Sequence, residues 1–548
     1  MVAIAANRPV AGAVLPRLSA CSSSLARPAH ASEIGTAIVT SVLPSAPPSL
    51  RDSDRTSWLW LAVGLALFLV SNGRWTVAIA TWLAPVLLLH WARRQPVVRG
   101  YLVLSLLLAT ANLVSWSGTV SPSGVPDSPV WVPAALGPAV GLVYLADRCA
   151  ASRLAHHWGR GHLLLTLPFP LAYTVLDFAV ARLSPLGSVG ALGYTQYPSL
   201  ALTQLASVTG VWGLTFLVAW LAPVADAVWV GGADWRRWSS PLLLFGLTVV
   251  LVLGYGGWRL ASAPASGASV RVAGITLVDR VTSHALEAAR AEGGDRVARI
   301  NEALRQQGRE AVLRESAAGA RLVTFSETSI RGDVGQEQEL VAWGSALARE
   351  ARTTLVVPLY LSGADGLDRN LLVVAGPDGE VVLRHVKYGS AALEGIEPGS
   401  GVLAFADLPF ARLGAVICRD LDFPSTVQQA GAAGADVVVA PSFDWVEIDP
   451  FHTWYAVFRG VENGFSLVRQ AGDGLSVATD PYGRVVAAMD QFQASERVMV
   501  ATVPTTGVGT PYAAWGDWFA WLCVGGLLVL AAATVRSRAA ASGGEEEG

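Results

Sequence analysis

Charged residues are scarce in this chain of 548 residues. Only 15% of the sequence is Asp, Glu, Lys or Arg, whereas 52% is hydrophobic and the mean hydropathy is +0.44. Because soluble domains carry about 25% charged residues, much of the chain must be solvated by something other than water. The net charge of −3 is close to neutral, so the sequence lacks the basic excess that would indicate a nucleic-acid partner.

Cysteine is also scarce, and the four cysteines lie far apart. They show no Cys-x-x-Cys spacing, so the sequence predicts neither a disulfide framework nor a zinc site, and no metal or cofactor is expected. One of them stands alone in the more polar part of the chain, where it has no disulfide partner. The four are Cys21, Cys149, Cys418 and Cys523.

Long apolar segments are abundant, and eight of them are candidates for membrane-spanning helices. A helix needs ~20 mostly apolar residues to cross a bilayer. Many of the 20 tryptophans flank these segments, where an aromatic belt would lie. The first seven predict a bundle over residues 57–260, of which the first pair is closely spaced. The predicted spans are 57–73, 75–92, 99–117, 131–147, 162–181, 207–230, 239–257 and 515–535.

Arginines mark one side of the predicted bundle. They follow the even-numbered spans, whereas the alternate loops contain few basic residues, and this pattern places both chain ends in the cytoplasm and residues 268–505 outside. Residues 1–56, rich in Ala, Ser and Pro, predict a mostly disordered cytoplasmic tail, and residues 536–548 predict a second tail. The arginines are Arg93, Arg94, Arg99, Arg148, Arg153, Arg160, Arg236, Arg237, Arg536 and Arg538.

Residues 268–505 differ in composition from the rest of the chain. Charge rises, and apolar strand patterns alternate with helical patterns such as residues 284–318. The segment "NLLVVAGPDGEVVLRHVK" (370–387) predicts a hairpin, because Pro-Asp-Gly favours a turn. These patterns predict an α/β domain with its own core. Ligands usually bind at strand ends in α/β sheets, so reactive residues that follow apolar strands are candidate site residues.

Three reactive side chains follow apolar strands in this domain: Glu327 after "LVTFS", Lys387 after "VVLRHV" and Cys418 after "LGAVI". A thiol with a pKa near ~8.5 needs activation at neutral pH. A carboxylate can take its proton, an ammonium can stabilise an oxyanion, and the product would be a thioester. The alternatives are a helix cap, an exposed hairpin lysine and a buried packing cysteine. No histidine holds a comparable place, since His385 neighbours the lysine and His452 begins a helix.

The order Glu–Lys–Cys at strand ends resembles the nitrilase, or carbon–nitrogen hydrolase, superfamily. The end of the domain, "PSFDW…FH…AVFRGVENGFSLVRQAGDGLSVATDPYGRV", is similar to that superfamily's late strand, helix and hairpin. Seven spans before the domain and one after it resemble the apolipoprotein N-acyltransferase family. The segment "GYTQYPSLALTQLASVTGVWGLTFLV" (193–218) resembles that family's stretch between its fifth and sixth spans. The resemblance covers about 57–535, and only the motif at 193–218 is specific to the membrane family.

This resemblance implies an αββα sandwich attached to an eight-span helical bundle in the bacterial plasma membrane. Glu327 would match the general base, Lys387 the lysine that stabilises the transition state, and Cys418 the nucleophile. Cys418 would take an acyl chain from a membrane phospholipid and pass it to the α-amino group of a diacylglyceryl cysteine at a lipoprotein N-terminus. Both substrates are anchored in the membrane, so a site at the outer leaflet would bring them together and orient them.

The sequence departs from the family pattern next to the nucleophile and next to the lysine. Arg419 and Asp420 stand where the family usually has Tyr-Glu. The segment "KYGSAALEGIEPG" lacks the family's Leu-x-Pro-x-Gly-Glu run, so Glu394 is the first candidate for the accessory glutamate and Glu397 the second. Tyr388, which follows the lysine, is a further candidate for substrate binding. These departures leave the shape of the lipid-access loop and the acceptor open.

Five other residues are singled out by their position. Asp444 and Trp445 match the family's Asn-Asp-x-Trp region and could line an acyl pocket, with a structural role as the alternative. Arg459 and Glu462 lie on one face of a predicted helix and are expected to form a structural ion pair. Asp177 is the one clear acid within a predicted span. It is expected to anchor the structure, with snorkelling towards the outer surface as the alternative.

Two rival functions remain open at this point. A membrane-tethered amidase would use water instead of an amine as the second nucleophile. An inactive homologue would serve as a scaffold or a lipid-binding module, and the altered residues after the cysteine and the lysine motivate that alternative. Deep burial of the thiol beside a lipid-facing cleft would favour the acyltransferase, whereas a small water-filled pocket would favour the amidase.

Overall fold

The computed structural model describes residues 55–119, 131–158, 163–264, 267–292, 295–363 and 367–543. The predictions for residues 1–54, Arg160 and residues 544–548 lie outside these residues. The described chain forms a group of apolar helices, then an α/β domain, and then a final helix that packs against the first group.

Seven long helices precede the α/β domain and one follows it. Five apolar helical segments are long enough to cross a membrane: Val97–Ser115, Leu163–Leu183, Val211–Gly231, Ser239–Ala261 and Trp518–Val535. The first two helices have 15 residues each, as the closely spaced pair of apolar segments suggests. The eight helices are Arg55–Leu69, Ala78–Ala92, Val97–Ser115, Trp131–Trp158, Pro168–Leu183, Val211–Gly231, Ser239–Ala261 and Trp518–Gly543.

Some helix ends differ from those that hydropathy predicts. The sixth long helix begins at Val211, later than predicted, because Gly210 has φ +66° and separates it from the short helix Ala206–Thr209. A positive φ is readily adopted by glycine and ends a regular helix. The fourth and eighth helices continue past the predicted apolar segments, to Trp158 and Gly543. Hydropathy marks where a helix is apolar, not where its backbone hydrogen bonds stop.

A cluster of buried charges joins three helices of the bundle. Arg93 donates to Asp147 at 2.8 and 2.9 Å and to Asp226 at 2.8 Å, and His90 Nδ1 lies 2.6 Å from Asp226 Oδ1. The statement that Asp177 is the one clear acid within a span is therefore wrong. Asp147 and Asp226 lie within the predicted spans 131–147 and 207–230, and what the sequence does not show is the arginine that pairs with both. Such pairing offsets much of the cost of burying charge.

Asp177 itself anchors the bundle and does not snorkel. Its Oδ2 accepts hydrogen bonds from the backbone N–H of Leu192 at 2.8 Å and from Thr215 Oγ1 at 3.0 Å. The carboxylate therefore ties its own helix to the turn at 192–196 and to the helix that starts at Val211. Because both bonds are intramolecular, the anchoring role is the one that the contacts support.

The α/β domain contains two sheets. The first has strand order β13-β1-β2-β4-β5-β6, with β3 paired to β4, and the second has the order β12-β11-β10-β9-β8-β7. The predicted hairpin at 370–387 is present as the antiparallel pair β5–β6. The strands are β1 Ser269–Ile275, β2 Leu322–Phe325, β3 Ile330–Asp333, β4 Thr354–Ser362, β5 Arg369–Ala375, β6 Val381–Val386, β7 Phe405–Leu408, β8 Ala411–Ala415, β9 Val437–Phe443, β10 Ser466–Gly472, β11 Leu475–Thr479, β12 Val485–Asp490 and β13 Val498–Pro504.

The two sheets pack face to face, and helices cover their outer faces. Strand β4 illustrates this packing. Leu355 and Val357 contact the covering helices, whereas Val356 packs between the two sheets. Alternate residues of a strand point to opposite faces, so a strand that is apolar throughout is buried on both sides. This arrangement is the predicted αββα sandwich. The covering helices are Arg280–Glu292, Arg296–Ala317, Glu337–Ala351, Pro424–Ala432 and Phe451–Asn463.

A buried ion pair links the α/β domain to the bundle. Arg459 and Glu462 are 2.8 Å apart and fully buried, as expected of a structural pair. Arg459 also donates to Tyr194 Oη at 2.6 Å, and Glu462 Oε1 accepts the backbone N–H of Val211 at 2.9 Å. The carboxylate therefore lies at the N-terminus of a long bundle helix, where negative charge is favourable.

Candidate active site

Three strand ends deliver the predicted trio into the interior of the domain. Glu327 follows β2, Lys387 follows β6 and Cys418 follows β8, and each is only 2% exposed. This burial excludes an exposed hairpin position for the lysine. It also requires that the charges be paired, because an isolated buried charge is very costly.

Lys387 lies between two carboxylates. Its Nζ donates to Glu327 Oε1 at 2.8 Å and to Glu394 Oε2 at 2.5 Å, and Asn370 donates to the same Glu327 oxygen at 2.7 Å. Burial opposes the lysine charge, but the two carboxylates outweigh it and raise the pKa of Lys387 well above its ordinary value. The side chain is therefore an ammonium ion at neutral pH. An ammonium has three N–H donors, and two are used here.

Cys418 stands at a strained turn. It is the first residue of the 3₁₀ turn Cys418–Asp422 and has φ +44°, a conformation that costs a non-glycine residue about 1–3 kcal/mol. Burial and then the charge of Glu327 raise the pKa of its thiol well above the ordinary value, although Lys387 opposes this. The resting group is therefore a protonated thiol. It needs a proton acceptor before it can attack a substrate.

A buried carboxylate holds the lysine strand against the cysteine turn. Asp420 Oδ1 accepts the backbone N–H groups of Tyr388 at 2.9 Å and Gly389 at 2.6 Å. Its Oδ2 accepts the N–H of Ile417 at 2.8 Å and lies 2.6 Å from His385 Nε2. Burial opposes ionisation, but the bonds from these groups, led by His385, lower the pKa of Asp420. Asp420 therefore fixes the spacing between the two reactive side chains.

A histidine that the sequence did not indicate also lies at this site. One atom each from Cys418, Asp444 and His452 lies within 4.8 Å of the other two. His452 Nδ1 is 2.8 Å from Asp444 Oδ1, and its Nε2 is 3.1 Å from Asp422 Oδ1. Burial opposes protonation, but the two carboxylates raise the pKa of His452. The search for reactive residues that follow apolar strands missed His452, because this residue lies on the helix Phe451–Asn463.

The same cluster has the donor types of a zinc site, but a cation already occupies part of it. Arg469 donates to both oxygens of Asp444, at 2.8 and 2.7 Å, and lies 3.0 Å from His452 Nδ1. Burial opposes ionisation of Asp444, yet Arg469 and His452 lower the pKa of this carboxyl group. A guanidinium so placed repels a metal ion. Asp444 therefore has a structural partner, which is the alternative given for it above.

The structure distinguishes the two candidates for the accessory glutamate. Glu394 ends the short helix Ala391–Glu394 and reaches Lys387 with a carboxylate oxygen, although 28% of its side chain remains exposed. Glu397 pairs with Arg369 at 2.8 Å instead. Only the first candidate touches the buried lysine, so the chain supplies this contact without the family's usual spacing.

Two other candidates lie at the periphery. Tyr388 is 38% exposed, and its ring contacts Phe423 edge-on at 5.6 Å between centroids. Only its backbone N–H takes part in the network around Asp420. Trp445 is half-buried, and its Nε1 donates to the carbonyl oxygen of Gly118 at 2.6 Å, so it joins the domain to the bundle. Neither side chain is bonded to the trio.

The bundle contributes directly to the walls of the site. Ser188 donates to the carbonyl oxygen of Asp422 from both its N–H at 2.7 Å and its Oγ at 2.8 Å. Ser390 Oγ donates to the carbonyl oxygen of Pro185 at 2.8 Å. A Cβ at Gly187 would lie 2.4 Å from the Asp422 carbonyl oxygen, and its φ is +60°, so only glycine fits there. The segment 185–188 thus touches both reactive loops.

A small cleft lies between the bundle and the residue after Cys418. Arg419 is its one lining residue from the α/β domain, and the other lining residues are mostly apolar. They are Trp116, Thr119, Pro133, Leu136, Leu186 and Val189. The residue next to the buried thiol therefore faces a mostly apolar cleft beside the helical part of the molecule.

The two sheets and their covering helices define a nitrilase-like carbon–nitrogen hydrolase domain, here attached to a bundle of apolar helices. The family model for carbon–nitrogen hydrolases matches residues 283–510, and that for the apolipoprotein N-acyltransferase N-terminal domain matches residues 62–224. A solved amidase from Nesterenkonia sp. is 19% identical, with a TM-score of 0.35 and coverage of 45% of this chain and 94% of that chain.

Curated relatives match across both parts of the chain. Apolipoprotein N-acyltransferase of Geobacter metallireducens is 29% identical over 405 residues, which are 68% of this chain and 75% of that protein. The enzyme of the same name from Rhodopseudomonas palustris is 26% identical over 67% of this chain and 69% of its own length. The chain is similar to apolipoprotein N-acyltransferases, a group of enzymes, over both its helical part and its α/β domain.

Proposed function

We propose that the protein transfers an acyl chain from a membrane phospholipid, through a thioester on Cys418, to the N-terminal amine of a diacylglyceryl-cysteine lipoprotein. Glu327, Lys387 and Cys418 are the catalytic residues of this proposal. The observation that carries it is the lysine buried between Glu327 and Glu394, because that arrangement serves an oxyanion beside the thiol. The similarity to apolipoprotein N-acyltransferases supports the choice of substrates.

The first step forms the thioester. Glu327 accepts the thiol proton as the sulfur attacks the ester carbonyl of the phospholipid. Lys387 and Asn370 donate to Oε1, and among the described residues no hydrogen bond to Oε2 is found, so Oε2 is the proton acceptor in this proposal. The third N–H of Lys387 faces the oxyanion. The carbon–oxygen ester bond then breaks, and Glu327 returns the proton to the departing lysophospholipid hydroxyl.

The second step releases the acyl chain as an amide. The neutral α-amine of the lipoprotein attacks the thioester carbonyl, and Lys387 again stabilises the oxyanion. Glu327 takes a proton from the attacking nitrogen and gives it to the departing sulfur of Cys418, which restores the thiol. The products are an N-acylated lipoprotein and the resting enzyme, and no external oxidant, reductant or metal enters the balance.

Burial of the thiol favours an amine over water as the acceptor. Cys418 is 2% exposed, and the adjacent cleft is lined mainly by apolar groups of the bundle. An acyl chain in that cleft would keep water from the thioester, because opening a wet path through apolar walls is unfavourable. An amidase needs such a path on every turnover, so this geometry supports the acyltransferase over the amidase.

The proposal places the α/β domain on the extracytoplasmic side of a bacterial plasma membrane. The arginines after the even-numbered predicted spans support this orientation, and it puts the cleft at the leaflet where exported lipoproteins are anchored. The expected outcome is that a reporter fused after residue 543 behaves as cytoplasmic, while a single cysteine introduced at exposed Glu350 reacts with a membrane-impermeant reagent from outside. Labelling only in broken cells would reverse the orientation.

The central test is mass spectrometry of purified protein in detergent with a phospholipid donor. We expect an acyl thioester on the peptide that contains Cys418, and its loss when a diacylglyceryl-cysteine peptide is added, with the N-acylated peptide as the product. The Cys418→Ala variant should form neither, whereas Cys523→Ala, which alters another buried cysteine, should form both. A thioester consumed equally fast by water without the peptide would establish the amidase instead.

A further inference from the structure

The residue after the nucleophile is an arginine that is almost fully buried yet weakly paired. Arg419 is 6% exposed. Its one ion pair among the described residues joins Nε to Asp422 Oδ2 at 3.5 Å, longer than the 2.7–2.9 Å of a charge-assisted hydrogen bond. A buried guanidinium normally satisfies most of its five N–H donors, so this side chain is held in place without being saturated.

The surroundings of this arginine restrict what it can bind. Arg419 lines the cleft together with bundle residues that are mostly apolar, among them Trp116, Leu136, Leu186 and Val189. A cation in a mostly apolar cleft fits an amphipathic molecule with an anionic group next to a hydrocarbon chain. Guanidinium groups bind phosphate oxygens through paired N–H donors.

We propose that Arg419 binds the phosphate group of the donor phospholipid and thereby positions the acyl ester over the sulfur of Cys418. This inference rests on the proposed function and specifies its first substrate. The two residues are adjacent, and in a glycerophospholipid the phosphate and the acyl ester are separated only by the glycerol unit. One side chain can therefore hold the phosphate while its neighbour attacks the ester, with the acyl chain along the apolar wall.

Arg419 could instead have a purely structural role, the neutralisation of Asp422, but the contacts argue against this alternative. Asp422 already lies 3.1 Å from His452 through Oδ1, while its buried Oδ2 has no hydrogen bond among the described residues. If the only task of Arg419 were to neutralise Asp422, a short bond to Oδ2 would be expected. The long contact instead leaves the guanidinium free to turn towards the cleft.

The test compares two acyl donors in the first step alone. Thioester formation on Cys418 is followed by mass spectrometry with phosphatidylethanolamine and with p-nitrophenyl palmitate, which has an acyl ester but no phosphate. For Arg419→Gln we expect a loss of about 10- to 100-fold in kcat/KM with the phospholipid, the range of one charge-assisted bond. The rate with the nitrophenyl ester should stay within about 2-fold. Arg419→Lys should recover part of the loss because it restores the charge.

The matched control is Arg412→Gln, which removes a partly exposed arginine from strand β8 of the same domain and should leave both rates unchanged. Equal losses with both donors in Arg419→Gln would show a structural role and overturn the inference, as would no loss with the phospholipid. If the wild-type protein forms no thioester with either donor, the proposed function itself fails, and the two failures are thus distinguishable.

Discussion

Two buried clusters in this molecule are built on the same plan, one cation between two carboxylates, and they differ in the cation. In the bundle, Arg93 joins Asp147 and Asp226 through three bonds of 2.8–2.9 Å. In the α/β domain, Lys387 joins Glu327 and Glu394. The planar guanidinium of arginine holds its partners in a fixed geometry, whereas the lysine ammonium is a compact charge that here has one unused N–H donor. The first cluster therefore holds helices together, and the second can receive a developing negative charge.

The largest expected effect comes from removing the proton acceptor of the site. Glu327→Gln should slow thioester formation by about 10²–10⁴-fold, the usual contribution of general acid–base catalysis. Alkylation of Cys418 by iodoacetamide at a fixed pH of about 8 should also become slower, because the buried, protonated thiol needs the same proton acceptor before its sulfur can attack.

The control for this variant is Glu397→Gln, which alters the exposed glutamate paired with Arg369. Neither acylation nor alkylation of Cys418 should change in it. Unchanged acylation together with unchanged alkylation in Glu327→Gln would remove Glu327 from the role of base.

Replacement of Lys387 by arginine tests the comparison between the two buried clusters directly. Lys387→Arg keeps the positive charge but replaces the compact ammonium with the larger, planar guanidinium. We therefore expect kcat for acyl transfer to fall by about 10²–10³-fold, as for loss of an oxyanion donor. Circular dichroism and detergent gel filtration should be unchanged. Retention of near wild-type kcat would show that charge alone suffices and that the third N–H of the lysine is not used.

Replacement of Asp420, which bonds the loops that carry Lys387 and Cys418, should give a smaller effect with a defined pH dependence. Asp420→Asn should lower kcat about 10-fold and destabilise the protein by about 3–5 kcal/mol, as for breaking a buried charged contact. The pKa of Asp420 is lowered by folding, so its contribution is fully present above about pH 4, the unfolded value. It is lost as the pH falls through the lower, folded value.

Thermal unfolding in detergent between about pH 3 and 7 checks this prediction, since the wild-type advantage over Asp420→Asn should shrink only at the acidic end. Asp407→Asn, at an exposed position on β7, is the control and should unfold like the wild type throughout. An advantage that grows below pH 4 would contradict the sign of the pKa shift.

The smallest effect on catalysis is expected in the bundle. Arg93→Lys removes the bidentate bond to Asp147 and should lower stability by about 1–3 kcal/mol, because a buried partner loses a hydrogen bond. The rate of thioester formation per folded molecule should stay within about 2-fold of wild type. A large loss of kcat in well-folded protein would show that the two clusters are coupled.

Much of the architecture could be predicted from local patterns. Apolar segments of bilayer length, apolar strands and the Pro-Asp-Gly turn each act within a few residues, and so an α/β domain beside a helical bundle was predicted correctly. The αββα sandwich was implied by the resemblance to the nitrilase superfamily, and it is confirmed. The search for reactive residues that follow apolar strands picked out Glu327 and Lys387, which the structure brings into contact. Their catalytic roles, with that of Cys418, stay predictions until the experiments above are done.

What could not be predicted depends on contacts between distant segments. His452 enters the site from a helix, Asp420 acts through backbone groups across two loops, and Asp147 and Asp226 meet through an arginine on a third helix. No spacing in the sequence encodes these meetings, because they follow from how the elements pack. The expectation that no histidine holds a strand-end place comparable to the trio did not reveal His452, because this residue reaches the site from the helix Phe451–Asn463.

The raised pKa of Cys418 has a consequence for how long the protein lasts. Peroxides attack thiolates that solvent can reach, and this sulfur is protonated and buried inside the α/β domain. In the proposed orientation the domain lies on the outer side of a membrane, where thiols are readily oxidised, and an idle molecule would thus resist sulfenic acid formation. The thiol would become reactive only when a lipid is bound. Oxidative loss of activity would therefore depend on the number of catalytic cycles more than on elapsed time.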